Sequence, residues 1–194
     1  MLIFIPWDIA FTYYGIWGYN EKYICGIYLL YLPIEEWLFF PVTLYACVFI
    51  YECLNSYIQT DLLRKIYMPI LILIALTGIT VSVLKPLQLY SSMKIGGASI
   101  LILLCLFVFR SKFLSRFLLA YLVSLLPFFI MNAILTGSFI EEEIVWYHPS
   151  HIFNFRLFTI PVEDLFYCLF MMLLTVLFYD ALQRKTNEAT VNKR

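Results

Sequence analysis

Two pairs of acidic residues begin apolar stretches of the sequence, and each pair follows a proline. Residues 33–37 read PIEEW, and residues 161–165 read PVEDL. Proline fits the first turn of a helix, because the N–H that it lacks would have no helical partner there. We therefore expect four carboxyl groups in the first turns of two helices, near the positive end of each helix dipole: Glu35, Glu36, Glu163 and Asp164.

Carboxyl groups placed in this way inside a membrane are suited to acid–base catalysis. Hydrocarbon surroundings favour the protonated form, the helix dipole favours the ionised form, and neighbouring carboxylates repel each other. Protonated and ionised members would then lie side by side, as a general acid and a general base require. The alternative is that the acids only cap helices at the lipid surface. Two matched pairs favour catalysis over capping.

The two acidic stretches align with each other, Pro33 on Pro161, which indicates an internal duplication. The same alignment, continued without a gap, places Tyr51-Glu52 on Tyr179-Asp180 at the far ends of the two helices. We place the first repeat at about residues 1–54 and the second at about 117–182. Three predicted helices lie between the acidic pairs, so both acidic helices run in the same direction. This is a parallel repeat, related by an axis along the membrane normal.

The elements that position these acids are membrane-spanning helices. Hydrophobic residues make up 63% of the chain and charged residues only 13%, against roughly 25% charged in soluble domains. The sequence predicts an all-α, polytopic bundle with five full spans and a partial N-terminal segment. The helices are predicted at residues 1–14, 33–53, 68–84, 95–109, 117–136 and 159–180. The segment 95–109 is short, so a re-entrant segment is the alternative to a span. We assign residues 1–182 to a single domain.

Lysine and arginine residues are distributed unequally between the two sides of this predicted bundle. One side has nine: Arg64, Lys65, Arg110, Lys112, Arg116, Arg184, Lys185, Lys193 and Arg194. The other side has four: Lys22, Lys85, Lys94 and Arg156. We expect the protein to lie in the inner (cytoplasmic) membrane of the cell. The positive-inside rule places the first side in the cytoplasm, together with the polar tail 183–194, which is predicted to be unstructured. Aromatic residues at the loop edges, including Tyr19 and Tyr147, are typical of an interfacial belt.

The sequence resembles the lycopene cyclase domain of the small membrane-bound type. The resemblance lies in residues 7–12, 15–20, 32–40, 45–52, 132–137, 145–147 and 156–167, and its most specific feature is the doubled P-x-E-[ED] motif. Both halves are present, as in the fused form of the family. Fused members usually begin about one and a half helices earlier, so we expect this chain to be truncated at its N-terminus.

The resemblance implies an isomerase, or intramolecular lyase, of carotenoid biosynthesis. Such an enzyme cyclises the linear ends of lycopene or a related carotene to β-type rings without net redox change. The resemblance assigns the acid and base roles to Glu35, Glu36, Glu163 and Asp164. No G-x-G-x-x-G motif follows a strand, so we expect no flavin and no other cofactor. The expected partners are the carotenoid and lipid of the bilayer, not nucleic acid, with a second copy or other carotenoid enzymes as further possibilities.

Other residues in the matched segments are candidates for substrate binding. Aromatic faces can stabilise a cation that water would quench, and polar groups could position the acids or cap helices. The candidates are Asp8, Trp37, Phe39, Phe40, Asn132, Arg156, Phe166 and Tyr167. Lipid-facing bulk is the alternative for each aromatic residue, and Arg156 could pair with a carboxylate. His148 and His151 have no third ligand in the sequence pattern, so no metal site is predicted.

Two other function classes remain open from the residues alone. Acids at helix starts and parallel repeats also occur in proton-coupled transporters, although no span is broken near the acids. The chain could also be one subunit of a heteromeric carotenoid enzyme, although both acidic motifs are present. A retinal protein needs a lysine deep in a late span, and the predicted helices 117–136 and 159–180 contain none.

Overall fold

The computed structural model describes residues 3–191, with side chains for residues 3–185. Five helices are long and apolar enough to cross a membrane. They are α2 (Ile34–Tyr57), α3 (Tyr67–Leu84), α4 (Leu89–Leu103), α5 (Leu114–Leu135) and α6 (Val162–Val191), and the shorter α1 (Phe4–Tyr13) precedes them. The prediction of an all-α polytopic bundle, with five spans and a partial first segment, is confirmed. The chain is a multi-pass membrane protein.

Helix α4 differs from its predicted bounds, because it begins at Leu89 rather than at residue 95. A π-helical turn, Leu104–Val108, continues it, and together they give a span of 20 residues. The prediction placed Lys94 in the loop before this helix, whereas the residue lies within α4 and is buried. At this length α4 can cross the membrane, and a re-entrant segment is not observed.

Helix α6 continues well beyond the predicted end at residue 180. It extends to Val191, so most of the segment predicted as an unstructured tail, 183–194, is helical in the structure. An ion pair between Arg184 and Asp180, 2.8 Å apart and one helical turn apart, lies along this extension and favours helix. Residues 192–194 of the predicted tail lie outside the described residues.

Three small antiparallel sheets lie at the end of the bundle where α2 and α6 begin, which we call the acidic end. Strand β1 (Trp17–Tyr19) pairs with β4 (Val145–Tyr147). Two hairpins, β2 (Tyr28–Leu29) with β3 (Leu32–Pro33) and β5 (Arg156–Leu157) with β6 (Ile160–Pro161), lead directly into α2 and α6. Strands of two or three residues are too short to show an alternating pattern, so they were not predicted from the sequence.

The structure repeats itself in the same alignment that relates the two acidic motifs in the sequence. Each element from β1 to the start of α2, including a 3₁₀ turn at Glu21–Tyr23, recurs at the aligned position of the second repeat. The backbone at Gly26 and at its aligned residue Asn154 is left-handed in both copies (φ 77° and 57°). The predicted duplication is therefore present in the fold.

The paired strands β1 and β4 mark the axis that relates the two repeats. They are equivalent strands, and their pairing is centred on Gly18 and Trp146, which are themselves equivalent positions. A Cβ atom on Gly18 would lie 2.6 Å from the Trp146 ring, so glycine permits this close approach. The pairing brings the two loops, and with them the starts of α2 and α6, to a common centre.

Helix α4 lies between α3 and α6. It is the most buried of the five spans, and half of the residues in its apolar segment are buried. Gly78 of α3 faces Ser99 of α4, and Gly97 of α4 faces Phe170 of α6. These small residues let the helices approach closely. The position of α4 carries its N-terminal half into the acidic end, beside α6.

Candidate active site

The four predicted acids separate into two kinds. The first acid of each pair, Glu35 or Glu163, accepts a hydrogen bond from a backbone N–H of the preceding loop. These donors are Cys25 N at 2.7 Å and Phe153 N at 2.6 Å, which are equivalent positions of the repeat. Glu163 also accepts from Ser91. The Oε2 atoms of both glutamates are buried and lack a hydrogen-bond partner among the described residues. These two carboxyls hold the loops onto the helices.

The second acid of each pair, Glu36 or Asp164, faces the interior and is buried. Tyr19 of β1 donates its hydroxyl hydrogen to Glu36, and Tyr147 of β4 donates to Asp164 Oδ2 at 2.9 Å. The two tyrosines are equivalent positions of the repeat. Their hydrogen bonds therefore place Glu36 and Asp164 in matching positions about the axis.

Both tyrosine hydroxyls keep their protons in this environment. Burial, and next the neighbouring Glu36, raises the pKa of Tyr19 far above its ordinary value. Burial, and next Asp164, does the same to the pKa of Tyr147. Each hydroxyl therefore stays protonated and can donate to its carboxyl. The sequence analysis placed Tyr19 and Tyr147 in an interfacial belt, although their equivalence in the repeat could have identified them as part of the site.

Lys94 is a further residue of the site that was not predicted from the sequence. It was counted as a loop charge, but its side chain is only 4% exposed, and its Nζ lies 3.8 Å from Asp164 Oδ1. The ammonium donates to the hydroxyl of Tyr90 and lies 3.8 Å and 3.9 Å from the ring centroids of Tyr90 and Tyr167. A charge within a span is a functional candidate, but the predicted span began at residue 95, so Lys94 fell outside it.

Two predicted polar residues join the same cluster. Asn132 donates to Asp164 Oδ2 at 3.1 Å, and Asp8 accepts from the hydroxyl of Tyr167 at 3.2 Å. Asp8 also interacts electrostatically with Glu36 and Lys94. Asp8 and Asn132 each lie one helical turn before a threonine, Thr12 or Thr136, so they are related positions of the two repeats. The structure therefore brings both to the acids.

The predicted aromatic residues lie at different distances from this cluster. Tyr167 is part of it, and Phe40 is fully buried against Phe4, with ring centroids 6.2 Å apart. Phe166 packs at the edge of the hydrophobic core. Trp37 donates to the carbonyl of Leu29 at 3.1 Å, and Phe39 is on the surface. Tyr167 alone of these contacts a charged group of the site among the described residues.

Arg156 does not pair with a carboxylate in the described part of the chain. Its guanidinium donates instead to the carbonyl of Thr159 at 2.8 Å, within the β5–β6 hairpin. The cation beside the acids is Lys94, because α4 lies within the bundle whereas the hairpin lies at its edge. Among the side chains that the structure describes, residues 3–185, no cluster of three metal-ligating groups occurs, and His148 bonds to Ser150.

An apolar cleft opens beside the cluster, between α1 and the start of α4. It has a volume of about 420 Å³ and is lined by Ala10, Phe11, Tyr14, Ile16, Leu89 and His151. The Phe11 ring lies 5.7 Å from that of Tyr90. One aromatic contact thus separates the cleft from the buried ions.

The arrangement supplies what proton transfer in a buried site requires. The Lys94 ammonium interacts electrostatically with Glu36 and Asp164, two buried carboxyls from equivalent helices, and with Asp8 and Glu163. Tyrosine rings enclose the ammonium. Groups of this kind can hold a proton on one carboxyl and leave another ionised.

Comparison with known proteins identifies the family. The lycopene cyclase family model matches residues 1–54 and 88–182, which flank α3 and include both acidic motifs, both β-hairpins and Lys94. No curated protein matches the chain. No solved structure matches it either. Since the matched segments make up well over half of the sequence, the chain belongs to the lycopene cyclase family.

Proposed function

We propose that this protein cyclises the linear ψ end groups of lycopene, or of a related carotene, into β-type rings. The reaction is an isomerisation, so its product has the same atoms as its substrate. A carboxyl group donates a proton to the terminal double bond, which leaves a tertiary cation. The neighbouring alkene attacks this cation and closes the ring, and a carboxylate then removes a ring proton to form the ring double bond.

The observation that carries this proposal is the convergence of Glu36 and Asp164 on one buried cluster. Cyclisation needs one proton donor and one acceptor close to the same end group. The two carboxyls begin parallel helices, and Lys94 interacts electrostatically with both. We propose that these two acids react, whereas Glu35 and Glu163 hold the loops in place. This narrows the expectation that all four share the acid and base roles.

The surroundings of the cluster suit a carbocation. Water would capture the cation, and aromatic faces stabilise positive charge without reacting with it. The ring centroids of Tyr90 and Tyr167 already lie 3.8 Å and 3.9 Å from a cation, the Lys94 ammonium. The apolar cleft beside Phe11 would hold the end of a carotenoid that enters from the bilayer.

Two further features belong to the proposal. No G-x-G-x-x-G motif follows a strand in the sequence, so we propose that the reaction proceeds without a flavin or other dinucleotide cofactor. The excess of lysine and arginine at the other end of the bundle supports a cytoplasmic C-terminus. The acidic end would then lie at the outer side of a cell's inner membrane.

Expression of the chain in a bacterium that accumulates lycopene tests the function. We expect monocyclic or bicyclic carotenes with β-type rings, identified by chromatography and mass. The matched control is the double variant Glu36→Gln/Asp164→Asn, which keeps the size of both side chains and should leave lycopene unchanged. A chain that inserts into the membrane and still forms no ring would refute the proposed function.

A further inference from the structure

Lys94 is a buried cation within a membrane span, and such a charge needs compensation. Its nearest carboxylate is Asp164, whose Oδ1 lies 3.8 Å from Nζ. Asp164 belongs to the second repeat and Glu36 to the first. The ammonium is therefore paired unequally with the two acids, although both acids interact with it.

Hydrogen bonds add to this inequality. Asp164 accepts three hydrogen bonds from side chains: Tyr90 at 3.2 Å, Tyr147 at 2.9 Å and Asn132 at 3.1 Å. Donors and a neighbouring cation both stabilise a negative charge on a carboxyl group. The surroundings of Asp164 are thus those of an anion.

Glu36 has different surroundings. Among the described residues its side chain accepts one hydrogen bond, from Tyr19. Asp8, at the position that Asn132 occupies in the other repeat, is also buried and interacts with Glu36 as a like charge. Two buried carboxyls that interact in this way favour retention of a proton by one of them.

We propose that Lys94 is a positioning residue that keeps Asp164 anionic as the base, so that the proton donor lies on the Glu36 side. The inference rests on the proposed function, to which it adds the direction of proton transfer. In each turnover an O–H bond of the Glu36–Asp8 pair breaks as a C–H bond forms at the end group. A ring C–H bond then breaks as Asp164 gains the proton. Return of that proton from Asp164 to Glu36 through the buried polar cluster restores the site, with no proton or electron consumed.

Other titratable groups face this ion pair from five of the elements around it, whereas α5 contributes the amide of Asn132. They are Asp8 of α1, Glu36 of α2, Tyr90 of α4, Tyr147 of β4, and Glu163 and Tyr167 of α6. None of these groups is a cation. The carboxyls of Asp8, Glu36 and Glu163, when ionised, repel a negative charge on Asp164. Removal of the ammonium would therefore leave a negative charge on Asp164 without a compensating cation among these groups.

The charge of Asp164 can be measured without substrate. Infrared spectra of the purified protein in liposomes are recorded with and without Asp164→Asn, in the wild-type and Lys94→Met backgrounds. In the wild type, the substitution should remove a carboxylate band. In the Lys94→Met background it should remove the band of a protonated carboxyl. The same band in both backgrounds, or a protonated band in the wild type, would overturn the inference.

The pH dependence of cyclisation is the second readout. Lys94→Met should lower the rate at neutral pH by about a hundredfold, the range of a general base, and the rate should recover as pH rises and Asp164 ionises. Lys94→Arg keeps the charge and should retain the wild-type profile, as should Lys85→Met, which removes an exposed lysine near the start of α4. A loss in Lys94→Met that does not vary with pH would contradict the inference. A wild-type protein that forms no ring would refute the proposed function, while the infrared bands still decide the role of Lys94.

Discussion

Glu163 and Asp164 are adjacent in the sequence but have different surroundings. Glu163 faces the loop, where it accepts hydrogen bonds from Phe153 N and Ser91, whereas Asp164 faces Lys94. The same division holds for Glu35 and Glu36. At the level of single residues, the structure therefore separates a carboxyl that could react from one that holds the backbone.

This division predicts different effects of two conservative substitutions. Glu163→Gln keeps an oxygen that can accept from Phe153 N, so cyclisation should fall by less than about tenfold. Asp164→Asn removes the group that could gain a proton and should lower the rate by about a hundredfold or more. Rates of ring formation in membranes with equal amounts of protein would measure both. Equal losses in the two variants would contradict the assignment of roles.

Many residues of the candidate site could be predicted from their types and spacing. The contacts between them could not be predicted in this way. The doubled acidic motif, Asp8, Asn132 and Tyr167 were all predicted, and the structure brings them together. Lys94 was not predicted as a site residue, because a lysine next to an apolar stretch is typical of the end of a span. The predicted helix was therefore started at residue 95. The buried charge of Lys94 is compensated by Asp164, which lies two helices further along the chain and contacts it only in the folded structure.

Helix α4 is the element on which this pairing depends. Its position is fixed by close packing against α3, where Gly78 faces Ser99 and Ile95. Ser99 is fully buried and donates to the carbonyl of Ile95 at 2.7 Å. There is no room for a larger residue at Gly78, so the register of α4 against α3 is set at this contact.

Gly78→Ala should destabilise the bundle. The added Cβ would overlap Ser99 Oγ and lie 3.0 Å from Ile95 Cγ2. We expect the free energy of unfolding to fall by about 1–3 kcal/mol, as for overpacking in other cores. Thermal unfolding in detergent would measure the change.

Gly96→Ala on α4 is the matched control. Its Cβ would lie 3.2 Å from Ser82 Oγ, a milder contact, and alanine favours helix over glycine by up to about 1 kcal/mol. Its midpoint of unfolding should stay close to that of the wild type. A midpoint for Gly78→Ala at or above that of Gly96→Ala would show that the α3–α4 contact is not tight.

At the scale of the whole molecule, the number and order of the spans followed from hydropathy alone. The small sheets did not, since their strands are held by pairing between distant loops rather than by local pattern. With Lys94 inside the bundle, three lysines and arginines remain on the predicted outer side: Lys22, Lys85 and Arg156. The charge asymmetry behind the predicted orientation becomes stronger.

Two native cysteines can test this orientation. Cys25 is exposed in the loop at the acidic end, and Cys53 lies near the opposite end of α2. A membrane-impermeant maleimide should label Cys25 in intact spheroplasts and Cys53 only after permeabilisation. Cys25→Ser and Cys53→Ser identify the labelled sites. Labelling of Cys53 in intact spheroplasts, and of Cys25 only after permeabilisation, would show that the orientation is the opposite of the predicted one.

The pairing of β1 with β4 about Gly18 and Trp146 has a consequence for the origin of the site. Two identical copies joined in this way would present the same side chains on both sides of the axis, and neither copy could specialise. Covalent fusion removes that restriction, because each half can then change independently. Two such changes are present in this chain. The first repeat has Asp8 where the second has Asn132, and it has Glu36 where the second has Asp164. Division of labour between a donor and an acceptor is therefore an outcome that duplication within one gene makes available.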